Sequence, residues 1–515
     1  MLSSAEFWLT IICYIVFILG IGSYMNYRNS KKHGAGQLFT SKLSWPQAVM
    51  TYIASLMSVW LFFAGPGGYF KGGFVYWCAE MTWIPMYMII AHFVSNRIWA
   101  LSRKRNYVTC ADFYCDRFQG KGSKLLRALI ALIYLISAFP YVTSVIAAIA
   151  QGGVRVSGGN LNYGAVILVL GFAMVAFTAI GGFKSVALTD TIQGIVYMIV
   201  MWGIALIALW FGFKGSLKDC IQSILTTSGD AYLSYPGPRG WVPYDYRFGY
   251  PFAMFVGYSI MLPHIFVRAC YAGKDLHTQR MLGKITPIIR FFVWTGCFVV
   301  GIVCFGLLPD LETSQAEYVI PFLIEWQIFP SNPILGHVLM IAFFCGACGV
   351  GLSTADSYLL SAASIVTDDF LVNLFGLKLT SKARVTLGRL IVFIVGMGGV
   401  VMAIKPPELI STMIMFSIGM TMPLFSVLVI GMYWKKATTT AAWVSTIVGM
   451  IGIWVTYIPM GKGNTYYGAI GMAFSAVSMI VVSLLTYKPE KENPAFFEDM
   501  EDSLKEVYVV DPAAK

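Results

Sequence analysis

The stretch Gly351-Leu-Ser-Thr-Ala-Asp-Ser-Tyr-Leu-Leu-Ser-Ala-Ala-Ser364 is a polar stripe inside an apolar span. It continues Val338-Leu-Met-Ile-Ala-Phe-Phe344, so the helix that carries it has already entered lipid. Ser353, Ser357, Ser361 and Ser364 recur at i, i+4, i+8 and i+11, which puts four hydroxyls on one helix face. Asp356 borders that face. A carboxylate at membrane depth costs about 2.5–3.5 kcal/mol on insertion scales, so it faces a partner, a cavity or an ion path. A row of oxygens without a soft ligand suits a hard cation better than a transition metal.

The rest of the chain agrees with a membrane setting. Of 515 residues, 57% are hydrophobic and 12% charged, and mean hydropathy is +0.71, which excludes an ordinary soluble domain. Apolar runs predict 13 helices, at about 5–25, 45–71, 75–101, 124–151, 163–181, 187–212, 249–271, 284–308, 333–366, 383–404, 407–433, 438–458 and 465–486. Ala5 to Tyr24 is a full-length span without a cleavage site after it, so it reads as a helix and not as a signal peptide.

Charge sets the expected orientation. Arg28, Lys31, Lys32 and Lys42 follow the first span. Arg103, Lys104, Arg105, Arg117, Lys121, Lys124 and Arg127 follow the third, and Arg268, Lys274, Arg280 and Lys284 follow the seventh. Asp310, Glu312, Glu317 and Glu325 follow the eighth with no basic residue among them. The odd-numbered loops are then inside, the N-terminus outside and the C-terminus cytoplasmic. Arg268 marks the inner membrane edge in this reading, and the tail after 486 is a solvated extension. The net charge of +11 comes from span ends and does not indicate a nucleic-acid partner. Cys110 with Cys115, and Cys345 with Cys348, lack metal-site context and read as reduced thiols.

Two spans carry breakers at comparable places: Gly65-Pro-Gly-Gly68 in the second, and Pro263 directly before His264 in the seventh. They lie five spans apart, as an inverted five-plus-five repeat requires, and broken helices at such positions point to a binding site near the midplane. Two ordinary proline kinks are the alternative. Asp190 and Gln193 share a face at the start of the sixth span, where an acid is either a helix cap or an ion ligand. His264 is either a proton relay or a satisfied structural histidine.

Four segments resemble one family. Gly181-Gly182 followed by Ala187-Leu-Thr-Asp-Thr-Ile-Gln193 is similar to the signature of the sodium:solute symporter family. Ser353-Thr-Ala-Asp-Ser-Tyr-Leu-Leu-Ser-Ala-Ala-Ser-Ile-Val-Thr-Asp-Asp369 resembles its eighth core helix. Pro263-His-Ile-Phe-Val-Arg268 resembles a segment of its proline and pantothenate carriers, and Thr109-Cys-Ala-Asp-Phe-Tyr-Cys-Asp-Arg-Phe118 its first large cytoplasmic loop. The similarity runs from about Ser44 to Trp434.

The resemblance implies an all-α polytopic membrane protein of the leucine-transporter (LeuT) type. One helix precedes the ten-helix core and two follow it. Its parts would be 1–43, a first repeat 44–213, an outer loop 214–248, a second repeat 249–434, two helices in 435–486 and a tail 487–515. The implied activity is sodium-coupled symport at the cell membrane, importing a small polar organic solute by alternating access. An amino acid or a monocarboxylate fits best; a sugar or amine carrier, or proton coupling, is the alternative. The implied sodium ligands are the hydroxyls of Ser353 and Thr354 and the backbone carbonyls of Ala54, Met57 and Val350. A possible second cation site comprises Asp190, Asp356 and Ser357, with Ser353 shared. Implied solute contacts are Trp60, Glu80, Tyr141, Tyr258 and Ser259. Glu80 alone, as an unpaired acid, leans toward a sugar or an amine; an amino acid would offer it an ammonium.

The implied partners are the solute, sodium and the bilayer, with no other cofactor, and a monomer suffices. Leu56 departs from the pattern, because proline carriers have an aspartate there and sugar carriers an asparagine. An enzyme is disfavoured: no histidine or cysteine metal cluster is evident, and Ser353 has no histidine nearby in sequence.

Overall fold

The computed structural model describes residues 1–32, 42–235, 237, 259–408, 410–460, 466–489 and 493–509. The architecture is all-helical, and ten helices among the described residues are long and apolar enough to cross a membrane. In order the principal helices are α1 (Ser4–Lys32), α2 (Trp45–Met57), α3 (Ala64–Met81), α4 (Trp83–Ile90), α5 (Asn96–Arg105), α6 (Cys110–Arg117), α7 (Ser123–Val156), α8 (Tyr163–Phe213) and α9 (Leu217–Ser228). Beyond them come α10 (Pro263–Cys270), α11 (Leu276–Leu307), α12 (Pro333–Ser364), α13 (Ser381–Ile404), α14 (Ile410–Thr421), α15 (Pro423–Tyr433), α16 (Thr439–Met460), α17 (Tyr466–Thr486) and α18 (Pro494–Val509).

The polar stripe lies on α12, at the centre of the bundle. Every residue from 346 to 365 is buried, so this helix faces protein all round, and α2, α7, α8 and α13 pack against it. Lipid supplies no hydrophobic drive between helices, so contact depends on close van der Waals packing through small residues. Glycines answer that need between α8 and α13. A Cβ on Gly171 would sit 2.5 Å from Val400, and one on Gly396 would sit 2.4 Å from Val175.

Three breaks position the site. The helix run 163–213 bends at Gly182, whose φ of 67° suits a residue without a Cβ. Leu262 is extended, with ψ 132°, directly before the proline that opens α10. The third break lies where the implied carbonyl ligands Ala54 and Met57 require it, and not at the glycine–proline element. Gly65, Pro66, Gly67 and Gly68 do not interrupt a helix; they form the first turns of α3. Pro66 is tolerated there because the N–H groups of a first turn lack intrahelical partners. The glycines serve contact instead: a Cβ on Gly67 would meet the Ala316 carbonyl oxygen at 2.5 Å. The chain breaks earlier, at Ser58, with φ 53° and ψ 178°. That backbone region is almost confined to glycine, so Ser58 is a strained position.

The tail also departs from expectation. It forms α18, which docks with Phe496, Phe497 and Met500 buried. The Arg117 guanidinium lies 4.7 Å from the Phe497 ring centre, and Asp499 pairs with Lys104 and Arg105. Two adjacent phenylalanines with Met500 and Leu504 make an apolar helix face that the high charge of the segment hid from a compositional reading.

Candidate functional site

The break at Ser58 ends α2, and the last four carbonyls of a helix have no acceptor role within it. Those of α2 belong to Ala54, Ser55, Leu56 and Met57. The stripe of α12 faces them. Ser353 Oγ donates to the Ala54 carbonyl at 2.9 Å and lies 3.5 Å from that of Val350. Thr354 Oγ1 donates to the Val350 carbonyl at 3.1 Å and lies 3.4 and 3.5 Å from those of Ser55 and Ala54. Two hydroxyls and three carbonyls therefore converge in a fully buried space. Met57, the last residue of α2, is buried beside them in sequence. Ser357 joins the same seam, its hydroxyl 3.0 Å from that of Ser55 and donating to the Ser353 carbonyl at 2.6 Å. Ser361 and Ser364 bond back into their own helix, to the carbonyls of Ser357 and Ser361. That is satisfied packing and leaves them away from the seam.

On the other side of the break lies a small pocket lined by Leu56, Ser58, Trp60, Glu80, Trp83, Tyr141, Arg290, Trp294, Ile414 and Met415. Glu80 is 1% exposed, and it is paired: Arg290 Nη2 stands 3.5 Å from its Oε2, and Trp294 Nε1 donates to the same oxygen at 2.5 Å. This corrects the unpaired acid of the sequence reading. Arg290 sits between two indoles, 4.1 Å from the Trp83 ring centre and 4.2 Å from that of Trp294, and it donates to Tyr87 Oη at 2.9 Å. Such stacking suits a guanidinium, which is planar and weakly hydrated. Trp60 Nε1 is buried without a hydrogen-bond partner among the described residues. Tyr141 faces the pocket and stacks on Tyr358, with ring centres 4.6 Å apart. Tyr258 lies outside the described residues, and of Ser259 only its place in the helical turn before Leu262 is described.

The acids expected to share a cation are held apart by different partners. Asp190 is fully buried, well past the bend at Gly182, and is no helix cap. It accepts from Thr51, and Arg268 Nη2 lies 3.6 Å from its Oδ2. Asp356 accepts from Thr178. Arg268 is 1% exposed, so it is enclosed by protein and not presented to solvent. His264 sits under it, its Nε2 3.3 Å from the Ser55 carbonyl and its ring 4.1 Å from that of Tyr358. Its Nδ1 is buried without a hydrogen-bond partner among the described residues.

A seam of oxygens between two broken or polar helices, beside a closed pocket, is the geometry of an ion-coupled carrier. The sodium:solute symporter family profile matches residues 38–449. The chain belongs to the sodium:solute symporter family. It is 27% identical to a sodium/pantothenate symporter of Haemophilus influenzae, over 92% of this chain and 95% of that one. It is 26% identical to an osmoregulated proline transporter of Bacillus subtilis, covering 88% and 89%. In fold it is similar to a solved sodium-coupled sialic acid symporter in a substrate-bound outward-open state, with a TM-score of 0.77 at 15% identity, covering 93% and 98%. As a sodium:solute symporter, the protein is a multi-pass membrane protein that carries a small organic solute together with sodium.

Within this symporter, the pocket residues Arg290, Trp294, Ile414 and Met415 escaped the sequence reading. Arg290 is a lone cation in Ile288-Ile289-Arg290-Phe291-Phe292, and a charge inside an apolar span was signal enough to single it out. Its partner, 210 positions away, was not legible from spacing.

Proposed function

We propose that sodium is held by the hydroxyls of Ser353 and Thr354 and the carbonyls of Ala54, Met57 and Val350, and that its inward movement drives import of a carboxylate-bearing solute bound in the pocket beside it. The convergence of Ser353 and Thr354 on the carbonyls freed at Ser58 carries this reading. Oxygen-only donors at such a break suit a hard monovalent cation, and the break gives backbone oxygens a use inside the membrane.

The solute class rests on the charge balance of the pocket. Glu80 is compensated by Arg290, so it does not repel a carboxylate, and it is not an open receptor for an amine. The stacked guanidinium and the Trp60 indole N–H are donors, and a carboxylate is the acceptor that suits them. The relatives named for pantothenate and proline both carry carboxylates. Trp60, Tyr141, Tyr258 and Ser259 complete the proposed solute contacts, with Glu80 acting through Arg290.

Thirteen spans follow if α2 with α3 up to Gly73 counts as one broken span, the rest of α3 with α4 and α5 as the next, the run 163–213 as two across Gly182, and 249–271 as another around Leu262. The core would comprise the repeats 44–213 and 249–434 around the loop 214–248. The segment 1–43 would precede it, and 435–486 and 487–515 would follow, with the N-terminus outside and the C-terminus in the cytoplasm. The energetics are adequate. One sodium crossing ~100 mV releases about 2.3 kcal/mol, and a tenfold gradient adds about 1.4 kcal/mol. That concentrates a net-neutral solute several hundredfold, but a monoanion only about tenfold.

The test is uptake into proteoliposomes of labelled amino acids, short carboxylates, sugars and amines, with wild type and Arg290→Gln. Carboxylate-bearing solutes should enter and the variant should lose them. Uptake confined to sugars or amines would overturn the solute reading.

A further inference from the structure

Asp190 and Arg268 form a buried charge pair that the sodium site does not use. They come from different elements, Asp190 from α8 beyond its bend and Arg268 from α10, and both are essentially inaccessible. Thr51 of α2 bridges them: Arg268 Nε donates to Thr51 Oγ1 at 3.0 Å, and Thr51 donates in turn to Asp190 Oδ2. Arg268 Nη1 donates to the His264 carbonyl at 3.2 Å, and its guanidinium lies 5.0 Å from the Phe183 ring centre. The cation is thus fixed by all three helices that break near the site.

We infer that the guanidinium of Arg268 is a tethered counter-cation for Asp190, occupying the electrostatic place of a second sodium, so that the carrier binds one sodium per chain. This deepens the proposed function and rests on its sodium site. A buried carboxylate requires a compensating charge. Here a covalently held guanidinium supplies it, 3.6 Å from Asp190 Oδ2. Asp356 accepts from Thr178 and also stands within electrostatic range of Arg268 and Asp190, so the same guanidinium faces both acids. The assignment has a consequence for the cargo. With one sodium, a solute of zero net charge can be concentrated about several hundredfold, and a monoanion only about tenfold, at ~100 mV and a tenfold sodium gradient. A carboxylate paired within the solute with an ammonium then gains most from this carrier.

The experiment is equilibrium binding of radioactive sodium ion to the purified full-length protein, counted per chain. Wild type should bind one sodium with a Hill slope of one, and Asp190→Asn should still bind one. Arg268→Gln exposes Asp190 to solvent cations and should raise the count toward two. Asp190→Asn combined with Arg268→Gln should return it to one, and Arg268→Lys, which keeps the charge, should stay at one. Two sodium ions on wild type, one of them lost in Asp190→Asn, would overturn the assignment. So would a count of one in a folded Arg268→Gln. If that variant does not fold, the wild-type and Asp190→Asn counts decide alone. Loss of all binding in Ser353→Ala with Thr354→Ala supports the underlying sodium site. Retention of all binding there would sink that site and not the Arg268 assignment.

Discussion

Replacing Ser353 by alanine removes one oxygen from the proposed sodium shell and leaves the helix intact. That hydroxyl makes one good hydrogen bond, 2.9 Å to the Ala54 carbonyl. Its loss costs about 1 kcal/mol of stability, since the acceptor keeps other donors in reach. Thr354 Oγ1 stands 3.5 Å from the same carbonyl and is the nearest of these. The ion loses more. An oxygen contact to a charge is worth roughly 1–3 kcal/mol, which converts to about 5- to 150-fold weaker sodium binding at 1.4 kcal/mol per tenfold. Ser361 provides the control, because its hydroxyl is bonded within its own helix to the Ser357 carbonyl at 3.0 Å. Ser361→Ala should leave sodium affinity unchanged. The assay is the sodium concentration that half-saturates uptake, with the apparent melting temperature measured alongside. Unchanged sodium dependence in Ser353→Ala, or an equal loss in Ser361→Ala, refutes the reasoning.

Breaking the Glu80–Arg290 pair by Glu80→Gln leaves a guanidinium buried without its carboxylate, and breaking buried pairs costs about 3–5 kcal/mol; the double variant with Arg290→Gln should recover part of the loss, read as apparent melting temperature in a double-mutant cycle. Ser58→Gly should raise the melting temperature by removing about 1–3 kcal/mol of backbone strain, whereas Ser58→Ala should not. Hydrogen bonds from Lys104 and Arg105 hold Asp499 below its ordinary carboxylate range, so its contribution to docking α18 is present above the unfolded value and is lost as pH falls through the folded one. Carboxypeptidase should therefore trim the tail faster below about pH 4, and Asp499→Asn should be trimmed faster at neutral pH too.

Much of the architecture was legible because membrane spans need length and apolarity, and both are written locally. The bounds of α12, α13, α16 and α17 fall within two residues of the expected spans or extend by a short π-helical turn. The glycine–proline element misplaced the break in the first core helix for a physical reason, while the resemblance put it at Ala54–Ser58. Glycine and proline usually mark breaks, but here Ser58 carries the strained backbone, Gly67 serves close contact, and among the glycines of α3 it is Gly73, with φ 54°, that interrupts the helix. Charges were the other difficulty. The buried pairings of Arg268 with Asp190 and of Arg290 with Glu80 were not legible, because partners far apart in sequence leave no periodic trace. The amphipathic face of α18 was hidden by the acids around it. The hydroxyl row from Ser353 to Ser364 was visible from helical spacing without any fold, whereas Thr354 entered only through the family resemblance.

The most direct test of the account is solute accumulation in proteoliposomes under an imposed inward sodium gradient, comparing wild type with Ser353→Ala/Thr354→Ala. The account predicts that wild type concentrates a carboxylate-bearing solute only while the sodium gradient lasts, and that the double variant does not respond to sodium. Accumulation driven by a pH gradient without sodium, or a double variant with wild-type sodium dependence, would contradict it.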